Sequence, residues 1–440
     1  MHLVFVNLIK NLVLLWTGKF KGLDEGSGEY VLSPKTWEEI GSATALSGST
    51  IPSAYGARPQ NVADDKVSCT ADSWSFWMQY IGPVVLNKRF RSSIYYDHFL
   101  DLVRLIRLCL QFELKRGEIV TIRVGFQRWV TKYEELYYQH DPNRAATCPV
   151  TIHALLHIAD GIEEAGPVWT YWAFPMERFC GFLQPSIKSR RFPFANIDNY
   201  VVSSAQLTQI KNRYNLYNEL LLKPAVTAIS RREYSVPAYQ TCVLLPPRVK
   251  SPELPVGIIE KIVVSLATRY NVSMAKSRKH FSIKNLQLFG RVERLDGGDI
   301  MTASLVKKST AEDRRDASFV RYEQLVDKNA RRRNAPVDLT PETFYGQLQY
   351  LFVVEVPATR DLGLASPETL ILACIHTCDV EAENSLDMHY YKKQGRVEVV
   401  DVTTVQCLVG RVKVDKKWWA IIDRSGGMAR PEFVDPSDSS

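Results

Sequence analysis

The chain lacks any run of the roughly 18 uninterrupted apolar residues that a membrane-crossing helix requires, so no membrane partner is expected. Its opening, Met1 to Trp16, is apolar, but Asn7, Lys10 and Asn11 interrupt it and no small-residue cleavage site follows. Those features set it apart from a signal peptide and predict a buried amphipathic helix. Cysteine is sparse: eight residues, at 69, 109, 148, 180, 242, 374, 378 and 407, form no dense framework in 440 residues. Such scatter points to a reducing compartment with most thiols in the core. The sequon Asn271-Val272-Ser273 is then expected to stay unmodified, because glycosylation accompanies secretion. A P-loop, a GxGxxG turn between strand and helix, and a Ser-His-Asp order are also missing; Asp296-Gly297-Gly298-Asp299 reads as a turn, and no small-molecule substrate is expected. No internal repeat is found.

What is present is enough to fold. Hydrophobic residues make up 45% and charged residues 23%, which allows a real core and two or three domains over this length. The net charge of +7 is unevenly placed: residues 276–333 carry fifteen Lys/Arg against eight Asp/Glu, a surplus equal to that of the whole chain. A polyanion would be felt there first. Lys276, Arg278, Lys279, Arg331, Arg332 and Arg333 are therefore candidate contacts to DNA phosphates, sequence-independent and weakened by salt. The alternatives for the same residues are a solvated linker or, for Arg331-Arg332-Arg333, a nuclear-import signal.

Periodicity predicts an α+β chain, a mainly helical block followed by a small antiparallel β barrel or sheet. A helix is expected over residues 1–22, then a Gly/Ser/Thr-rich connection over 22–56. Phe99, Leu102, Val103, Ile106, Cys109 and Leu110 recur at helical spacing, as do Ile119, Ile122, Phe126, Trp129, Val130, Tyr133 and Tyr137, each set giving one apolar stripe for a shared core. Further helices are predicted over Ile152 to Glu164, ended by Gly166-Pro167, from Pro175, and over Ser204 to Leu222. The helical domain thus spans 1–222, a proline-containing linker and connection 223–275, and a basic, partly disordered segment 276–335. A possible short β module lies at Phe281 to Arg294. Over 336–430 short β-rich runs at Phe344–Val356, Thr369–Val380, Val397–Val409 and Trp418–Asp423 predict the small β module, with a fraying tail at 431–440.

Few residues carry chemistry. His153 and His157, four apart on a predicted helix, leave the same face and can share a metal ion, with Asp160 a turn further on. Packed or solvated histidines show the same spacing. Glu177, two residues after Pro175, falls in a first helical turn where the macrodipole favours a carboxylate, which suits a structural role or a hard cation alike. Cys148 and Cys180 flank the histidine pair and offer a local Cys2His2 set, although Pro149, Pro167 and Pro175 restrict the path. Cys374-Ile375-His376-Thr377-Cys378 sits on an alternating strand whose buried packing accounts for both thiols.

The stretch CPVTIHALLHIADGIEEAGPVWTYWAFPMERFCG (148–181) resembles the C-terminal region of CACTA (En/Spm-like) DNA transposases of fungi and plants, whose block runs H-x3-H, Gly-Gly-Pro or a close variant, and a Pro-x-Glu-Arg-[Tyr/Phe] box. Here these are His153/His157, Gly166-Pro167 and Pro175-Met176-Glu177-Arg178-Phe179. STIPSAYGARPQN (49–61), CTADSWSFWMQYIGPV (69–84) and YYDHFLDLVRLIRLCLQFE (95–113) are similar to segments of the basidiomycete branch, and FYGQLQYLFVVEVP through WWAIIDRSG looks like its trailing β module. The opening MHLVFVNLIKNLVLLWTGKFKGLDEG resembles the family's Asp-x-Met-His box, entered at the Met.

The resemblance implies a ribonuclease-H-like core with a helical insertion, in which two Asp and a late Glu bind two Mg2+ or Mn2+ ions for phosphodiester chemistry. Glu177 would be the third acid, and His153 and His157 half of a zinc site completed by an upstream Cys-x2-Cys. In the family the two Asp and that Cys-x2-Cys precede the residue at which this sequence opens. The expectation is therefore a nuclear, transposon-derived, catalytically incomplete fragment that is no enzyme alone and carries no bound cofactor. Weak DNA binding or association with an intact transposase would remain. The alternatives are a domesticated nuclear scaffold and a truncated gene model of an active transposase.

Overall fold

The computed structural model describes residues 2–23, 28–64, 69–217, 219–220, 233–250, 252–296, 299–306, 315–329, 332, 335–415 and 417–429. Helices α1 (Ile9–Trp16), α2 (Pro34–Ser47), α3 (Ala71–Phe76), α4 (Gly82–Val85), α5 (Ser93–Cys109), α6 (Arg116–Tyr133), α7 (Val150–Ala154), α8 (Ile158–Ala165), α9 (Phe174–Leu183) and α10 (Pro193–Tyr214) come first. Strand β1 (Cys242–Lys250) and helices α11 (Val256–Arg269) and α12 (Met274–His280) follow. The remaining strands are β2 (Leu286–Arg294), β3 (Ile300–Thr302), β4 (Phe319–Asp327), β5 (Leu339–Val356), β6 (Glu368–Glu383), β7 (His389–Asp401), β8 (Val405–Leu408), β9 (Gly410–Lys413) and β10 (Trp419–Ile422). The protein is thus a mixed helix and sheet chain, with an N-terminal helical region and a C-terminal antiparallel sheet curled into a half-barrel.

Two compact units divide the chain. The first comprises Met1–Gly28, Asp97–Ser230 and Gly427–Ser440, the second Glu29–Tyr96 and Arg231–Gly426. Residues 29–96, expected within the helical domain, therefore pack with the β-rich half.

In the first unit the two predicted stripes along α5 and α6 are buried except for the half-buried Ile119, and aromatic rings dominate what they bury. Trp16, at the end of α1, donates from Nε1 to the Tyr137 hydroxyl at 3.0 Å and meets Phe99 edge-on at 5.6 Å. His98 stacks on Trp129 with centroids 4.4 Å apart. The two residues exchange hydrogen bonds: Trp129 Nε1 donates to the His98 carbonyl at 2.9 Å, and His98 Nε2 lies 3.1 Å from the Trp129 carbonyl, so Nε2 carries the proton. The segment after Gly426 joins this unit by pairing with the end of α5, Phe112 N donating to Gly427 O at 2.8 Å and Ala429 N to Leu110 O at 2.7 Å. The predicted helix over 152–164 is broken by a 3-10 turn at Leu155–His157 into α7 and α8. The predicted fifth helix opens earlier, at Pro193, where a proline suits the first helical turn.

The second unit is built around β5. Its first half pairs with β4 and its second half with β2 on one edge, while β6 pairs along the other. Leu348, Leu351 and Val353 then share the inner face of the curl with Val320, Tyr322, Ile371, Ala373 and Ile375. Phe352 and Val354 face the opposite way, onto Ile262 and Leu266 of α11. The stretch expected as a linker over 223–275 accordingly contains β1 and α11, and the expected partly disordered stretch over 276–335 contains β2, β3 and β4. Residues 307–314, 330, 331, 333 and 334 lie outside the described residues, as do 221–232 and 430–440. Within the expected connection over 22–56, α2 is capped by Ser33, whose hydroxyl accepts from Thr36 N at 3.1 Å, and Pro34 opens the helix.

Two predictions follow from this packing. Burial lowers the pKa of His98 to about 4 from 6.5, so the folded unit holds it neutral. Because the unfolded chain takes up the proton first, this contribution is present above pH 6.5 and is lost as pH falls toward about 4, amounting to about 3 kcal/mol at about 1.36 kcal/mol per unit. Urea denaturation across that window should show a decline in the wild type that His98→Gln lacks; equal slopes would refute it. At Gly346 a Cβ would lie 2.5 Å from Ile375 Cγ2 and 2.7 Å from the His376 carbonyl oxygen. Gly346→Ala is therefore expected to cost about 1–3 kcal/mol by forcing β5 from β6, and an unchanged denaturation midpoint would rule out that close approach.

Candidate functional site

His153 ends the first turn of α7 and His157 closes the 3-10 turn that follows, yet the four-residue spacing still brings both rings to one exposed point. Their Nε2 atoms are 3.2 Å apart and the ring centroids 5.0 Å apart. Two tetrahedral zinc ligands at about 2.05 Å would place their nitrogens about 3.3 Å apart, so the pair has the separation of two cis ligands. The second ring nitrogen of His157, Nδ1, lies 3.3 Å from Asp160 Oδ2. A carboxylate there favours the tautomer with the proton on Nδ1 and the lone pair on Nε2, as in carboxylate-supported metal histidines.

Asp160 is itself held from α6. Arg123 donates to Asp160 Oδ1 at 2.7 Å and to Glu163 Oε2 at 2.8 Å. Those hydrogen bonds are the main reason both carboxyls titrate below their usual range, with the His157 contact adding to the effect at Asp160. Nothing local in the sequence marks Arg123, because its partners lie 37 and 40 residues away.

The other predicted ligands do not converge with the histidines. Among the described residues no group of three or more His, Cys, Asp or Glu side chains is placed to hold a metal ion. Cys148 is half-buried, with its thiol pushed up by burial, and Cys180 is exposed on α9; neither joins His153 and His157 in such a group. Glu177 is exposed in the first turn of α9, its amide donating to Ala173 O at 2.9 Å, and it too belongs to no such group. The donors described thus supply two nitrogens toward zinc and do not assemble an oxygen set for a pair of divalent cations. Cys374 and Cys378 are buried as expected, each thiol pushed up to about 12 by burial. A register shift between His376 and Cys378 sends them to different clusters, Cys374 to the α11 side and Cys378 to a set with Phe319 and Tyr391.

In the basic segment several of the described Lys and Arg residues are engaged within the protein. On α12, Arg278 pairs with Glu260 at 3.2 Å and Lys279 with Asp361 at 3.2 Å, while His280 Nε2 is 2.8 Å from the same Asp361 oxygen. Lys276 is exposed on that helix, and Arg332 is exposed. Arg331 and Arg333 lie outside the described residues. Arg294 pairs with Asp296 at 2.6 Å, and Arg315 donates to the Ile51, Gly56 and Pro52 carbonyls at 2.8, 2.8 and 2.6 Å. Arg321 pairs with Glu323 at 2.7 Å.

A small cleft in the second unit is lined by Tyr55, Arg58, Cys69, Asp72, Phe76 and Trp77. Burial pushes its Cys69 thiol up, away from nucleophilic use at neutral pH.

Compared with protein-family models, curated proteins and solved structures, the chain matches none. Among the described residues no helix is long and apolar enough to cross a membrane.

The histidine geometry predicts weak zinc binding through two imidazoles. In isothermal titration, zinc should bind the purified chain, lose that binding in His157→Ala, and be removed by desalting. One zinc per chain retained after desalting, and lost in His157→Ala, would instead show a completed site.

Proposed function

We propose that these 440 residues derive from a CACTA-type DNA transposase, with the helical unit a remnant of the helical part of a ribonuclease-H-like core. By themselves they associate with DNA or with an intact transposase in the nucleus, and do not cut or join strands. The reading rests on the ordered blocks of the sequence, above all His153/His157, Gly166-Pro167 and the box around Glu177.

The inactive part of the proposal rests on the resemblance, in which Glu177 is one acid of a set that two Asp complete. Two-metal phosphoryl transfer requires cations about 3.5–4 Å apart, each with several oxygen ligands. Among the described residues no group of three or more His, Cys, Asp or Glu side chains is placed to hold a metal ion. The place of Glu177 in the first turn of α9 suits a carboxylate, which is one ligand and not a site. The paired histidines support a metal-organised turn between α7 and α8 in the same way, since their donors meet and Asp160 orients one of them.

A purified preparation of the full chain, incubated with labelled supercoiled and linear duplex DNA and either Mg2+ or Mn2+, should neither nick nor join the substrate. Strand cleavage that disappears in Glu177→Gln would overturn the proposal.

A further inference from the structure

We propose that the surface formed by α9 and α10 binds a single-stranded polynucleotide, stacking bases on exposed aromatic rings and holding phosphates with unpaired basic side chains. The first observation is exposure. Helix α10 runs for 22 residues and buries none of them. Phe182 is 55% exposed, Phe192 58%, Phe194 78% and Tyr214 62%, which together with Phe179 gives a larger array of open rings than isolated surface residues would.

The second observation is charge. Residues 179–217 contain five Lys/Arg (Lys188, Arg190, Arg191, Lys211 and Arg213) against Asp198 alone, a net +4. None of the five is in an ion pair among the described residues, in contrast to Arg278, Lys279, Arg294 and Arg321. Two lie beside rings: the Arg191 guanidinium is 5.3 Å from the Phe192 centroid and that of Arg213 is 5.9 Å from Tyr214. Aromatic faces interleaved with free cations are what a flexible strand with splayed bases requires, whereas a duplex keeps its bases stacked inside.

Charge and helical geometry also decide against the other occupants of an open apolar surface. A second copy meeting the same face would set +4 against +4. A bilayer would call for one apolar stripe, but at about 100° per residue Val202 and Tyr214 lie roughly 80° and 200° round the helix from Phe194. Stacking needs no continuous stripe, since each base needs only its own ring. The rings here are part clustered, the Phe182 centroid lying 6.3 Å from that of Phe179 and 5.7 Å from that of Tyr200, and part separate. This inference does not rest on the transposase reading, and the strand-cleavage result leaves it untouched.

The test is fluorescence anisotropy on the full chain with labelled dT and rU strands of about 20 nucleotides and a duplex of the same length. Both single strands should bind more tightly than the duplex, and a preference between dT and rU tells DNA from RNA. Phe192→Ala with Phe194→Ala should weaken single-strand binding about tenfold or more, with an unchanged circular dichroism spectrum. Arg190→Ser with Arg191→Ser should make the dependence of log affinity on log salt shallower by about 1.4, at about 0.7 per phosphate. Equal binding of duplex and single strands with no effect of the phenylalanine variants would overturn the proposal. So would loss of binding only in Lys276→Ser/Arg278→Ser/Lys279→Ser. Dimerisation abolished by Phe194→Asp without change in oligonucleotide affinity, or binding to anionic vesicles in place of oligonucleotides, would assign the surface to another partner.

Discussion

The second unit depends on a few guanidinium groups that fasten an irregular turn to a sheet. Residues 49–56 carry backbone carbonyls with no ladder of their own, and Arg315 satisfies three of them. From the other side Arg411 N donates to Thr50 O at 3.0 Å, while its guanidinium bonds Asp316 at 2.8 Å and the Tyr391 hydroxyl at 3.0 Å. That guanidinium lies 3.4 Å from the Phe319 ring centroid and 4.7 Å from that of Trp419, so its charge is withdrawn from water but not left alone. A buried cation of this kind costs several kcal/mol unless its donors are met. Asp316 and Tyr391 each take one of those donors while Nε has no partner among the described residues, and the Tyr55 hydroxyl proton is shared between Leu408 O at 2.8 Å and Ile422 O at 3.1 Å. These contacts are why a helical stretch early in the chain belongs with strands more than 250 residues later.

That arrangement marks how far the sequence could be read. Apolar stripes on α5 and α6 were legible because a helix buries one face wherever its partners come from. The alternating runs that became β5, β6 and β10 were legible for the same reason. Helix α2 was hidden by its small residues, although Ser33-Pro34 carried a capping signal. Strand β1 was hidden by Pro246-Pro247, which reads as a linker until the ladder is seen. Its register to β2 shifts between Leu245 and Arg248, so the two prolines occupy the irregularity where no amide donor is required. Gly290 opposite them leaves room, since a Cβ there would stand 2.2 Å from Pro247 Cδ.

At the candidate site the legible part was the part encoded within one turn of helix. The spacing of His153 and His157 put their nitrogens together even though the helix tightens between them, because a 3-10 turn changes the angle between i and i+4 without separating them onto opposite faces. The anchoring of Asp160 by Arg123 is a tertiary contact between α6 and α8 and left no local trace. Convergence of Cys148 or Cys180 was a matter of chain path, which spacing does not fix.

Charge density was the least transferable guide. A surplus of basic residues over 276–333 says where cations are numerous, but electrostatic attraction for a polyanion depends on cations whose fields are not already cancelled at hydrogen-bond distance. Arg315 is committed to backbone carbonyls, Arg294 and Arg321 to carboxylates on their own or neighbouring strands, and Arg278 and Lys279 to acids brought in from α11 and the turn at Asp361. Residues 179–217, from within α9 through α10, have fewer cations but only one acid among them, and the rings and the cations lie on the same exposed stretch. A folded chain therefore displays its charge where acids are scarce, not where bases are most frequent. In this protein the two criteria select different surfaces.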